Sequence, residues 1–449
     1  MMQTDTTAKT FRGFSQEALE ELIRRKGEPE WAAALRTDAW QAYLATPMPS
    51  RKDEEWRRTD LSMLDLDGVA PFAEGSGPAD PTEDIPTELR SVLKGSAAPG
   101  GLLVHRNSRA VHRRLAGDLS ARGVILADLD DAVRQHPELV RRHLMACVGP
   151  AEGKLVALHS AFWSGGTFVY VPRTVEVEVP IHAITWSDAL GVSVMPHTLV
   201  VLEEGAGLVF VEESASPAGQ SPALANGVVE LVLGAGSRLS YISLQRWGPS
   251  VFAFGTQRAV VGRDAELATL SVCLGGRMSK SWVQTHLRER GASTRMLGIG
   301  FGSGVQRFHH HTLQDHQAPN TASDLLFKTA LDGEARSEYS GLIRVHPDSQ
   351  KTDAYQADRN LLLSRHARAD SMPRLEIQAN DVRCTHGATV GPIDEEQLFY
   401  LMARGLPRLE AERMIVQGFF EPVMERIPVE SIRERIRRAV DAKISAGGR

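Results

Sequence analysis

A chain of 449 residues, 42% hydrophobic and 24% charged, carries enough apolar material for a substantial core and is expected to form two or three domains. Its formal net charge of −5 gives no electrostatic reason to expect nucleic acid or an anionic membrane as partner, because both reward a basic surface. No window approaches the roughly 18 uninterrupted apolar residues of a spanning helix, and the start MMQTDTTAKT lacks a secretory h-region, so a cytoplasmic protein is expected.

In chain order, the first pattern is helical. SQEALEELIRRKG has a Ser N-cap and a Gly stop, and PEWAAALRTDAWQAYL spaces Trp31, Leu35, Ala39 and Tyr43 four apart, which predicts one apolar face. PSRKDEEWRRTDL, dense in charge around Trp56, reads as a solvated turn or helix start. Residues 68–100 are rich in Gly, Pro, Ala and Asp and read as a loosely ordered connection. Next come a strand at LLVHR and a helix over DLDDAVRQHPELVRRHLMACVG. VGPAEGKL resembles a phosphate loop only superficially: Gly149 and Gly153 stand one residue too close, and Leu155 replaces the Ser or Thr that would hold magnesium.

From about Phe162 to Cys384 the chain breaks into short segments rich in Val, Ile, Leu and Thr, punctuated by Gly. In AELATLSVCL, Ala268, Leu270, Val272 and Leu274 alternate, the period-2 signature of a strand. A sandwich, a barrel or a parallel β-helix could each absorb this series, and the short Gly corners favour the β-helix. After Gly391 helix returns. Asp394 and Gln397 form a D-x-x-Q cap, Gly405 stops that helix and Pro407 opens the next. Finally, Ile432, Ile436 and Val440 make a stripe that either packs on the core or meets a partner.

Three cysteines, Cys147, Cys273 and Cys384, are far apart and odd in number, which argues against a disulfide framework. We read Cys147 as structural in a helix and Cys273 as structural in a strand. In VRCTHGATVG, strand alternation puts Val382, Cys384 and His386 on one face, where thiolate and imidazole could converge on iron or zinc; a small buried thiol beside a hydrogen-bonded histidine is the plainer alternative. RFHHHTLQDH puts His309 and His311 on one strand face and His310 on the other, either as part of a metal site or as a polar ladder on a solvated sheet. Phe399, Tyr400, Met402, Phe419 and Phe420 read as core or docking surface. No GxSxG or HExxH occurs, while paired carboxylates on a β-helix would fit a carbohydrate-active enzyme.

The run DVRCTHGATVGPIDEEQLFYLMARGL resembles the SufB/SufD family of iron–sulfur cluster assembly scaffolds, most closely SufD. So do PSRKDEEWRRTDLS, ALHSAFWSGGTFVYVPRTVEVEVPI, HHHTLQDHQAPNTASDLLFKTAL, TDAYQADRNLLLS and ADSMPRLEIQANDV, in family order along nearly the whole chain. The resemblance implies a mainly β fold: a right-handed parallel β-helix over 96–391 with a helical segment near 127–148, flanked by helical domains at 1–95 and 392–449.

It further implies a non-catalytic subunit that pairs with a SufB-like paralogue through its last coils, or with a second copy of itself in isolation. Two copies of a SufC-like ABC ATPase would dock on the C-terminal helices, at Phe399, Tyr400, Met402, Arg404, Phe419 and Phe420. Where SufB-like chains place a sulfur-accepting cysteine this chain has Ala369, and where they place acidic residues beside the histidine it has Thr385 and Gly387. The family role implied for His386, with Cys384 as neighbour or auxiliary ligand, is coordination of iron or a transient cluster shared with the partner. A SufB-like or homodimeric scaffold is the nearest alternative.

Overall fold

The computed structural model describes residues 11–73, 100–219 and 222–446. Most of the connection read over 68–100 therefore lies outside the described residues. The rest is mainly β: two ten-stranded sheets face each other, and successive strands of the chain alternate between them. One sheet stacks Glu176–Trp186, Gly207–Ala215, Arg238–Arg246, Glu266–Cys273 and onward to Arg383–Pro392; the other stacks His197–Leu202, Leu224–Leu233, Phe252–Val261 and onward to Arg368–Ile377. From one coil to the next the pairing is parallel and in register, as in Arg307↔Arg336↔Arg368. The result is a parallel β-solenoid of about eight turns.

Alternation explains the stacking. On strand Arg238–Arg246 the buried Leu239 and Tyr241 enter the space between the sheets with Phe210 and Leu267, while Ile242 and Leu244 belong to a second cluster on the outer face. Corners are tight and depend on positive φ. Gly333 has φ 65°, and a Cβ there would stand 3.0 Å from the backbone nitrogen of Gly304, the corner of the coil before.

Helices cover much of the outside. Ser15 caps Gln16–Lys26 by accepting from Ala18 N at 3.2 Å, and Gly27 ends that helix in the left-handed conformation, as the pattern predicted. On Glu30–Ala45 the buried stripe is Ala32, Arg36, Ala39 and Trp40, rotated from the expected one because Arg36 is itself buried. Its guanidinium makes 2.7 Å bonds to both Glu28 oxygens, donates to the Ala161 carbonyl at 2.9 Å and stacks on Trp163.

Three local expectations need correction. The run expected as one helix is two, Leu129–Gln135 and Pro137–His143, because Pro137 cannot continue the first and instead opens the second. Cys147 consequently lies in a bend after the second helix. Lys154–Phe162, read only as the tail of a phosphate-loop likeness and the approach to the strands, is a buried helix. Lastly, the Trp56 segment is packed: Trp56 lies against Trp282 and Phe254, and the Glu55 carbonyl accepts from Lys280 Nζ at 2.6 Å.

At the other terminus, Arg408–Met424 and Glu430–Ala446 lie on the outer face of one sheet. Val416, Phe420, Ile432, Ile436 and Val440 join Ile242, Leu270, Leu297 and Phe301 in a single cluster. The isoleucine stripe thus packs on the core. Lys443 locks the last helix down, donating to the carbonyls of Leu274 at 2.6 Å and Phe301 at 2.8 Å. Among the described residues no helix is long and apolar enough to cross a membrane.

Candidate half-site at the open end of the solenoid

Among the described residues, strand Arg383–Pro392 pairs only with Asp353–Leu362, and Arg368–Ile377 only with Arg336–Val345, so each is the last strand of its sheet. In a parallel ladder, paired residues face the same way. Cys384, His386, Ala388 and Val390 pair with the buried Ala354, Gln356, Asp358 and Asn360, so they face the space between the sheets at its uncovered end. His386 is exposed, and among the described residues nothing hydrogen-bonds its ring. On the same open end Leu375, Ile377 and Val390 are 36%, 40% and 45% exposed, an apolar rim that no described residue covers.

Cys384 shares that face and is half-buried against Ile343, Val345 and Ala354. Burial, with the Asp353 carboxylate nearby, pushes its thiol up, so it is protonated until a metal displaces the proton. Burial also pushes Cys273 to about 11 and Cys147 to about 12. None of the three is an activated nucleophile. Among the described residues, no group of three His, Cys, Asp or Glu side chains could hold a metal ion. One exposed imidazole beside one thiol offers two donors, fewer than the four that zinc or a cluster takes.

The expected docking residues divide. Phe399, Tyr400 and Met402 on helix Glu395–Ala403 are 74%, 57% and 42% exposed, and Arg404 lies over Tyr400 and donates to its hydroxyl at 2.9 Å. Phe420 is 3% exposed inside the cluster beneath the C-terminal helices, and Phe419 is half-buried against it. Phe420 is thus a core residue and leaves the docking set: its helix turns it toward the sheet.

The histidine run is not a solvated ladder. His309, His310 and His311 are 4%, 5% and 7% exposed, because the Trp56 segment covers one face of the strand and the solenoid interior the other. His309 Nδ1 lies 3.1 Å from both Thr59 Oγ1 and a Glu338 oxygen, and His311 Nε2 accepts from Lys280 Nζ at 2.8 Å. Burial, then Lys280, pushes His311 down to about 2, which keeps it a neutral acceptor. His310 points inward and meets Ser281 Oγ at 2.9 Å. His309, through Thr59, and His311, through Lys280, fasten the N-terminal segment to the solenoid.

Sequence reasoning passed over Gln356, Asp358 and Asn360, which the alternation in YQADRN already puts on one face. Their polarity hid that this face is the interior.

Comparisons with known proteins place the whole chain rather than the site. Residues 16–183 match the family model for the SufBD protein N-terminal region, and 184–419 that for the SufBD core domain of SUF-system FeS cluster assembly. An iron–sulfur cluster assembly SufBD family protein of Staphylococcus epidermidis is 29% identical over 430 residues, covering 93% of this chain and 90% of that protein. The iron–sulfur cluster assembly protein SufB of Bacillus subtilis is 28% identical over 427 residues, with the same coverage. These similarities do not distinguish SufB from SufD, but the two family models together match residues 16–419. The chain belongs to the SufB/SufD family of the SUF iron–sulfur cluster assembly system.

Proposed function

We propose that this chain is a non-catalytic, SufD-like scaffold subunit of the cytoplasm that presents His386, with Cys384 beside it, as half of a binding site for iron or a nascent cluster. The carrying observation is an exposed imidazole on one of the two end strands of the solenoid, beside an apolar rim and, among the described residues, with no hydrogen-bond partner and no further strand beyond it. A SufB-like chain docked there would cover the rim, continue both sheets and supply the missing ligands. Ala369, on an inward-facing position of the other edge strand, offers no thiol for a persulfide, which favours the SufD-like role over the SufB-like one. The same edges could take a second copy of this chain when no paralogue is present.

Residues 392–449 are the docking segment for a SufC-like ATPase, one of two per complex, with Phe399, Tyr400 and Met402 as anchors. Exposed aromatics beside Arg404 suit the centre of such an interface. ATP-driven motion of the docked subunits would open and close the half-site, provided the two states hold cluster with different affinity.

The test is the assembled complex with His386→Ala. Iron and sulfide content should fall by about tenfold or more, as expected for loss of a ligand, while the purified subunit keeps its unfolding midpoint. Unchanged iron and sulfide would end the half-site proposal.

A further inference from the structure

Directly beneath the open coil, the solenoid interior is polar. Strand Asp353–Leu362 turns Gln356, Asp358 and Asn360 inward, where they are 0%, 1% and 4% exposed. Asn360 Nδ2 donates to Asp358 Oδ2 at 2.7 Å. Neither polar atom of the Gln356 amide has a hydrogen-bond partner, and Asn360 Oδ1 has none either. A buried amide left unpaired is costly, so three orphaned atoms along one strand face are a poor way to fill a core and a good way to receive a ligand.

The backbone makes room for this layer. At Gly341, on the facing sheet, a Cβ would stand 2.2 Å from Gln356 Nε2 and 2.4 Å from the Tyr339 hydroxyl. Register sets Gln356 beside His386 and Asp358 beside Ala388, one strand spacing of about 4.8 Å away and facing the same space. Asp358 is the one charged side chain that this strand turns inward, since Asp353 and Arg359 alternate to the outer face and are exposed. The floor is therefore anionic. It attracts a cation and repels sulfide or phosphate. Carboxylate and amide oxygens suit a hydrated divalent ion of hard or borderline character, whereas a thiophilic species would seek Cys384.

We propose that Asp358, with the side-chain oxygens of Gln356 and Asn360, forms a divalent-cation subsite beneath His386, which receives hydrated ferrous iron and holds it against the imidazole. The proposal rests on His386 being a half-site ligand and deepens it: iron would enter on this chain before a partner closes the shell.

Titration of the purified full-length chain with Co²⁺ under anaerobic conditions, followed by visible absorption, tests it. Wild type should bind Co²⁺ with a spectrum that His386→Ala alters through loss of its nitrogen ligand. Asp358→Asn should weaken binding by about tenfold to a hundredfold, and Gln356→Leu, which removes the amide but no charge, by about fivefold to tenfold. Both variants are first shown folded by their unfolding transitions. Binding in Asp358→Asn equal to wild type, or no Co²⁺ binding by wild type, overturns the subsite. The half-site proposal fails separately, if the assembled His386→Ala complex keeps its full iron and sulfide.

Discussion

The two ends of the solenoid are finished differently. At the first, Gly101–Arg106 is closed by the antiparallel strand Arg109–Leu115, Thr167–Val171 by Ile125–Asp128, and the helices Leu129–Gln135 and Pro137–His143 pack over Leu199 and Val201. At the last end both sheets stop on bare ten-residue edges, Arg368–Ile377 and Arg383–Pro392. Such edges invite pairing with other chains, and here they carry the charges of Arg368, Asp370, Arg374, Glu376 and Arg383 and the prolines Pro373 and Pro392. Both ends are built of strands, and the difference lies in what covers them. One end holds the fold together. The other offers an imidazole, an apolar rim and backbone donors to something else.

Four measurements would break or sharpen that contrast. Phe210, 0% exposed in the cluster of the closed end, should cost about 3–5 kcal/mol when cut to Ala, whereas Val390→Ala, at a position 45% exposed on the open rim, should stay within about 0.5 kcal/mol in denaturant titrations. An equal cost at both would mean that the open end is packed after all.

The second concerns pH. Burial raises the Asp358 carboxyl to about 6, so the folded chain holds that proton more tightly than the unfolded chain does. Its contribution is greatest below the unfolded value near 3.8 and is lost as pH rises through 6, by up to about 3 kcal/mol at 1.36 kcal/mol per unit. Asp358→Asn should flatten this dependence and leave the chain more stable than wild type at pH 7.5. Parallel stability curves for the two proteins would remove Asp358 as a strained functional group.

Smaller still is the cap that starts the C-terminal helices. Asp394 accepts from Glu396 N at 2.9 Å and Gln397 N at 3.2 Å, and its loss in Asp394→Ala should cost about 1 kcal/mol, read as faster amide exchange in Glu395–Ala403. Smallest in stability is Phe399→Glu, within about 0.5 kcal/mol. It should nonetheless abolish co-purification of the ATPase, because the ring is 74% exposed and supports no core. Retained ATPase would move the docking surface elsewhere.

Local rules reached far along this chain. Period-2 alternation found the strands, Ser15, Gly27, Asp394 and Gly405 marked helix ends, and blocks along nearly the whole chain carried the family, because each signal lies within a few residues of sequence or in residue identity itself. The face shared by Cys384 and His386 was legible for the same reason. Which coil comes last was not. His386 is open and His310 enclosed although both face inward on similar strands, since cover depends on whether another coil follows. The burial of Arg36 against Trp163, the clasp of His309 and His311 by Thr59 and Lys280, and the core role of Phe420 likewise join residues distant in the chain. Sequence therefore determined the strands, the caps, the kinship and the ligand types. Stacking in register decided which of those side chains meet and which remain free, because the energy of burial is settled between coils and not within them.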